Sequence, residues 1–264
     1  MRVGFMQIYN EANWVGFAIE QAMRLCDKLL VIEGSQFTAF PDIPERSDDG
    51  TLDIISDKMR EHRGRILLIN TARRHKNYRQ NQCANFNRGL DFCDIDDYFL
   101  ILDADDFFTD EWLERANAIM QEGDMDLIYA NSRDFSFGFN WVVGFGRTSP
   151  RLVVLKKNAQ LHFVPTHKVR GGGDRIYLSK DISRYHYMWV KPSERLRVRM
   201  RTSGRHAGMT DWFESVWCNM ELEAGKVYQS YNGKFTLRRY DGVHPSILNT
   251  HPWRYVEDIR RLGI

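Results

Sequence analysis

Three carboxylates, Asp103, Asp105 and Asp106, crowd the motif Asp103-Ala104-Asp105-Asp106, directly after the apolar run Tyr98-Phe99-Leu100-Ile101-Leu102. Carboxylates this close repel one another unless they are solvated or neutralised, and a hard, oxygen-seeking cation such as Mg²⁺ or Mn²⁺ neutralises them directly. In an extended segment side chains i and i+2 share a face, so Asp103 and Asp105 are expected to converge while Asp106 points elsewhere. The plainer reading is an acidic strand end leading into the helix N-cap region Thr109-Asp110-Glu111.

The elements that must position these carboxylates follow a regular beat. Apolar runs at 2–9, 28–32, 65–69, 98–102 and 127–130 read as strands, and residues 13–25, 80–92 and 111–120 carry apolar side chains at helical spacing. Short buried strands alternating with amphipathic helices indicate an α/β fold, a mostly parallel central sheet flanked by helices. Ligands of such sheets bind outside the carboxyl ends of the strands. Asn10-Glu11, Glu33-Gly34-Ser35, residues 71–79 and residues 103–106 therefore meet at one edge, forming a crevice suited to a nucleoside diphosphate.

From about Ser132 the beat is lost. Residues 135–146 are aromatic and glycine-rich and read as a small apolar subcore or as loops that grip a carbohydrate. Residues 151–155 and 175–178 look like strands, and 192–200 and 211–228 look helical. The division expected is 1–131, a nucleotide-binding α/β half, and 132–264, an acceptor-side and C-terminal helical region, packed as one continuous unit.

Composition bounds the function. The chain has 264 residues, 43% of them hydrophobic, and a formal net charge of +2, as expected of a soluble globular protein with a sizeable core. No apolar run is long enough to span a bilayer and the N-terminus does not resemble a secretory signal, so a cytoplasmic protein without a transmembrane segment is expected. Cys26, Cys83, Cys93 and Cys218 form no C-x-x-C pair and read as reduced thiols. Residues 60–79 and 191–205 are basic, but no zinc-finger, RNP or helix-turn-helix signature accompanies them, so no nucleic-acid partner is assigned.

The motif order resembles family 2 glycosyltransferases of the GT-A fold. Tyr9-Asn10-Glu11 is similar to the family's Asn-Glu strand end, Glu33-Gly34-Ser35 to its acidic-Gly-Ser turn, Arg79-Gln80-Asn81 to its Arg-Asn segment, and Leu102-Asp103-Ala104-Asp105-Asp106 to its Leu-Asp-Ala-Asp-Glu. Looser likeness continues through Pro150-Arg151-Leu152, Phe163 to His167, and Tyr185-His186-Tyr187, ending near residue 200. Two departures stand out: Lys168 where the family often has Glu, and Gln36-Phe37 after the acidic turn where Asp is usual.

The resemblance implies a metal-dependent transfer of a sugar from a UDP- or GDP-sugar donor to a carbohydrate or other hydroxyl acceptor. Asp103 and Asp105 would hold Mn²⁺ or Mg²⁺, with His167 as a candidate third ligand. Asn10, Glu11, Glu33, Arg79, Asn81, Ala104 and Arg151 would line the donor site. Inverting attack by a hydroxyl needs a general base, and with Lys168 in the family's Glu position the candidates are Asp174, Asp134 and Asp181. His186 is a weaker candidate for the ligand role given to His167, since the aromatic neighbour on each side favours the core. The arginines of residues 194–201 are expected to scatter around a helix as a solvated segment, and the His244-Pro245 and His251-Pro252-Trp253 turns to pack or to form a lid. Two other readings stay open: a catalytically degenerate GT-A domain that binds carbohydrate or protein, and a sugar nucleotidyltransferase.

Overall fold

The first strand, β1 (Arg2–Ile8), is buried on both faces, and alternation sends Val3 and Phe5 into one apolar cluster and Met6 and Ile8 into another. A strand of that kind belongs in the middle of a covered parallel sheet. The computed structural model describes residues 1–36, 42–71, 78–144, 150–165, 168–202, 210–230 and 233–262. Strands β2 (Lys28–Glu33), β3 (Ile66–Asn70) and β4 (Tyr98–Ile101) complete a parallel block in the order β3-β2-β1-β4. The sheet becomes mixed beyond β4, where β8 (Pro150–Lys156) runs antiparallel and β6 (Leu127–Ser136) antiparallel to that. Two reversals leave β6 pointing the same way as β4.

Helices α1 (Ala12–Met23), α2 (Thr51–Glu61), α3 (Tyr78–Leu90) and α4 (Asp110–Glu122) cover the sheet. The buried stripe of α1, Trp14, Val15, Ala18, Ile19 and Ala22, follows the helical period. Thr109 caps α4 by accepting a hydrogen bond from the Trp112 N–H, and Gly123 ends it in the left-handed conformation. Gly89 of α3 packs so closely on β1 that a Cβ there would lie 2.5 Å from the Phe5 ring, so only glycine lets the helix approach.

Two further strands join the sheet through β6. The short β5 (Asp106–Phe108) pairs antiparallel with β11 (Ile176–Trp189), which also runs parallel to β6. The strand expected at 175–178 is thus the start of a much longer one. Small strands β7 (Trp141–Gly144), β9 (His162–Val164) and β10 (Lys168–Arg170) fill the region where the sequence beat fails. After β11 comes α5 (Ser193–Thr202).

The helix expected over 211–228 is not formed as a whole. A short π-helical turn (Phe213–Trp217) is followed by the hairpin of β12 (Val227–Ser230) and β13 (Gly233–Arg239), which extends the sheet through β7. Trp212, Phe213 and Trp217 belong to a separate aromatic cluster with Phe137, Trp141 and Trp189. That burial gives the segment a tertiary reason to abandon the regular helix. Phe135, Phe137 and Phe139 are fully buried, so the aromatic run is core. Among the described residues, no helix is long and apolar enough to cross a membrane.

His244 and His251 pack inside this core. Tyr187 Oη lies 2.6 Å from His244 Nδ1, and His251 stacks on Trp14 with ring centroids 4.3 Å apart. Burial, reinforced by Arg254 and Arg133, drives the His244 pKa down to about 3, and burial drives His251 down to about 4. In the unfolded chain both protonate near pH 6.5. Stability from keeping them neutral is therefore complete above that pH and is lost as pH falls toward the folded values. Lowering the pH from 7 to 5 is expected to cost roughly 2 kcal/mol per histidine. Urea unfolding of the wild type and His244→Gln at both pH values checks this: the variant should lose distinctly less, and an identical loss would refute the assignment.

Candidate active site

The acidic motif is a turn. The chain leaves β4 at Ile101, and the Asp106 N–H donates to the Asp103 carbonyl at 3.2 Å, closing the turn before β5 begins. Alternation in an extended strand does not apply across such a turn, which corrects the expectation for Asp106. Asp103 projects, exposed, into a cleft of about 210 Å³ that Ala104 and Asp105 also line, whereas Asp105 and Asp106 are buried. The turn is clamped from two sides. Gln21 of α1 donates to the Asp106 carbonyl at 3.1 Å and accepts from the Phe108 N–H at 2.7 Å, and the Tyr187 N–H donates to the Asp105 carbonyl at 2.8 Å.

The floor of the cleft is a buried ion network. Lys191, at the junction of β11 and α5, places Nζ 2.6 Å from Glu11 Oε2 and 3.2 Å from Asp105 Oδ2. Arg199 of α5 adds a hydrogen bond of 3.1 Å to Glu11 Oε1 and lies 3.8 Å from Asp105 Oδ2. Burial raises the Glu11 carboxyl above its ordinary range despite Lys191 and Arg199, and the neighbouring Asp105 charge adds to the rise. Burial acts the same way on Asp105, but there Lys191, Arg199 and His186 outweigh it and hold the carboxyl well below its usual range. The shared lysine thus favours ionisation at Asp105.

A second cluster lies against the first. Asp106 forms a buried pair with Arg184, whose Nε donates to Oδ2 at 2.7 Å while Nη1 donates to Ser132 Oγ at 2.6 Å. The other oxygen of Asp106, Oδ1, is buried and has no hydrogen-bond partner among the described residues. Burial, with the charges of Asp103 and Asp105 adding to it, pushes the Asp106 carboxyl up to about 6 even beside Arg184. His186 Nε2 lies 3.8 Å from Asp105 Oδ1 and 4.0 Å from Asp106 Oδ1, and its Nδ1 lies 3.0 Å from Asp134 Oδ1. Burial and Arg184 oppose a charge on this imidazole, but Asp106, Asp134 and Asp105 hold its pKa above the ordinary value. Asp105, Asp106 and His186 can each turn one ligand atom to a common point.

The strand-end residues hold the loop that borders the cleft. Asn10 adopts the left-handed conformation, φ 54°, and its backbone N–H and side-chain oxygen bond Ser47 and Asp48. Glu33 is fully buried: it accepts from the Ser47 N–H at 2.7 Å and pairs with Arg46, so it supports this loop rather than facing the cleft. Gly34, at φ 121°, would bring a Cβ to 2.9 Å from the Glu45 carbonyl, which explains the glycine of that turn. Buried Asn81 donates to the Gln36 carbonyl at 2.7 Å. Tyr78 and Gln82 of α3 line the cleft, while Arg79 lies exposed beside them.

The three candidate bases fall in different places. Asp134, near the carboxyl end of β6, is bonded to His186 as above, and exposed Arg151 of β8 contributes to its field. Asp174 precedes β11 at the opposite edge, where Arg175 pairs with Asp126 at 2.6 Å, on the order of 30 Å along the strand from His186. Asp181 is exposed in the bulged middle of β11. Neither of these two reaches the cleft, because parallel pairing with β6 fixes which end of β11 arrives there. His167 lies outside the described residues, as does the side chain of Lys168.

Several participants stand out here more strongly than their sequence context suggests. Alternation places His186 on the face opposite Tyr185 and Tyr187, so its aromatic neighbours are no argument for the core. Arg195 and Arg199 sit four apart on α5 and both line the cleft, which corrects the expected scatter of arginines. Lys191 carries no local signal, since its partners are 180 and 86 residues away.

A family model described as "Glycosyl transferase family 2" matches residues 45–180. The chain belongs to this family, which places it among the transferases, and its mixed sheet flanked by helices is the GT-A arrangement. No curated protein matches the chain. Among solved structures, mannose-6-phosphate isomerase from Helicobacter pylori is similar at 10% identity with a TM-score of 0.30. The likeness covers 60% of this chain and 62% of that one, and it is too loose to carry an argument.

Removing Lys191 strands two buried carboxylates. Lys191→Met is expected to lower the unfolding free energy by about 3–5 kcal/mol, and adding Glu11→Gln should restore a substantial part of it. Urea denaturation of the single and double variants measures both, and a near-neutral Lys191→Met would show that Arg199 alone suffices.

Proposed function

We propose that the chain transfers a sugar from a nucleoside-diphosphate sugar, with UDP- and GDP-sugars as the donors to test, to a carbohydrate or other hydroxyl acceptor. The donor diphosphate occupies the cleft above Asp103 and Asp105, at the carboxyl ends of the parallel strands. The observation that carries this reading is the convergence of Asp106 and His186 on the cleft-lining Asp105, with one Asp106 oxygen lacking a hydrogen bond among the described residues.

These residues fit a divalent cation of the Mg²⁺ or Mn²⁺ type. Two carboxylate oxygens and an imidazole nitrogen suit Mn²⁺ in particular, and the second imidazole nitrogen is oriented by Asp134 as bound histidines usually are. When bound, such an ion neutralises charge on the departing diphosphate. The protein's own part is orientation. Gln21 and the Tyr187 N–H fix the acidic turn, Arg184 fixes the Asp106 carboxylate, and Asp134 fixes the His186 ring. Asp103 is the carboxylate left exposed to the cleft, where it can meet donor or ion.

Calorimetric titration with UDP and GDP, with and without Mn²⁺, followed by a donor-hydrolysis assay, tests the proposal. Wild type should bind one nucleotide with metal enhancement of tenfold or more and hydrolyse the matching donor slowly. His186→Ala should lose most of that enhancement, in line with a roughly 10–100-fold loss of metal affinity. Equal enhancement in the variant would remove His186 from the metal set. Binding without turnover on any donor would favour a degenerate binding domain.

A further inference from the structure

One wall of the cleft is the face of α5 that carries Arg195 and Arg199, with Val198 and Thr202 between and beyond them. Residues four apart on a helix present their side chains together. Two guanidinium groups side by side over a cleft match the geometry of a diphosphate, whose oxygens accept paired N–H bonds.

Among the described residues, neither arginine is fully committed where it stands. Lys191, only 4% exposed, already gives a hydrogen bond each to Glu11 and Asp105. Arg199, whose side chain is 43% exposed, adds one hydrogen bond to Glu11 and reaches Asp105 only at 3.8 Å. A guanidinium has five N–H donors, so most of its capacity remains. Arg195 lies 3.8 Å from Asp48 and 3.7 Å from Asp49, beyond hydrogen-bonding distance. Asp49 has little need of it, because its carboxylate already accepts from the Ala12 and Thr51 N–H groups.

Charge balance points the same way. The cleft is lined by Glu11, Asp103 and Asp105 against Lys191, Arg195 and Arg199. An entering diphosphate upsets that balance unless cations on the wall turn toward it. We infer that Arg195 and Arg199 form a clamp that takes the diphosphate directly, with Arg199 exchanging its Glu11 partner for phosphate while Lys191 stays behind as the counter-ion of Glu11 and Asp105.

The inference rests on the function proposed above only in taking a nucleoside diphosphate as ligand. Calorimetry with UDP, GDP and the parent nucleosides, in Mn²⁺ and separately in EDTA, tests it on wild type, Arg195→Met, Arg199→Met, Glu11→Gln and the Glu11→Gln/Arg199→Met double variant. Wild type should retain measurable diphosphate binding in EDTA. Each arginine variant should weaken UDP or GDP tenfold or more and leave nucleoside binding unchanged, and the double variant should bind as poorly as Arg199→Met. Recovery of wild-type affinity in the double variant would mean that Arg199 only neutralises Glu11, and would overturn the clamp. Wild-type affinity in both arginine variants would overturn it and leave the proposed function standing. No binding of either diphosphate to wild type under any condition would sink both.

Discussion

A single ammonium group between two buried carboxylates governs the arrangement of this site. Lys191 joins Glu11, after the end of the first strand, to Asp105, in the turn after the fourth, and does so from the junction of β11 and α5. Buried charges persist only when each finds a partner with good geometry. The lysine thereby fixes three distant segments at one point. Everything that borders the cleft is referred to it, including the pitch at which α5 presents its arginines.

The second constraint is the pairing of β11 with both β5 and β6. Because β5 is short, its conformation depends on that partner and on Gln21. The register sets His186 opposite both Asp106 and Asp134, so the imidazole receives its neighbours from two strands at once. An acidic turn with that support is held against its own repulsion before any ligand enters.

Much of the parallel half was legible in the sequence. Its strands are near-continuous apolar runs and its helices carry periodic stripes, and of the segments that the carboxyl-end rule brings to one edge, Asn10, Glu11, Gly34, Tyr78, Asp103, Ala104 and Asp105 line the cleft, whereas Glu33, Ser35 and Asp106 do not. What was not legible depended on non-local geometry. The carboxylates were read as an extended strand because nothing in Asp-Ala-Asp-Asp announces a turn, and Glu33 looked available because Arg46 and Ser47 lie across a loop. Asp174 looked plausible beside three glycines, yet the direction of β11 carries it to the far edge. The pairing of Arg195 with Arg199 is by contrast a local signal, since a spacing of four places both on one face of a helix. Lys191 has no such signal, because its partners are 180 and 86 residues away.

The long strand has a practical implication for how damage to this protein is read. Tyr187 of β11 stacks with Phe135 and Trp14 and bonds His244, while its own N–H holds Asp105 in place. A lesion in the aromatic interior therefore travels one peptide unit to the acidic turn. Residues such as His244, which does not line the cleft, are expected to score as important in an activity screen through the packing of Tyr187 alone.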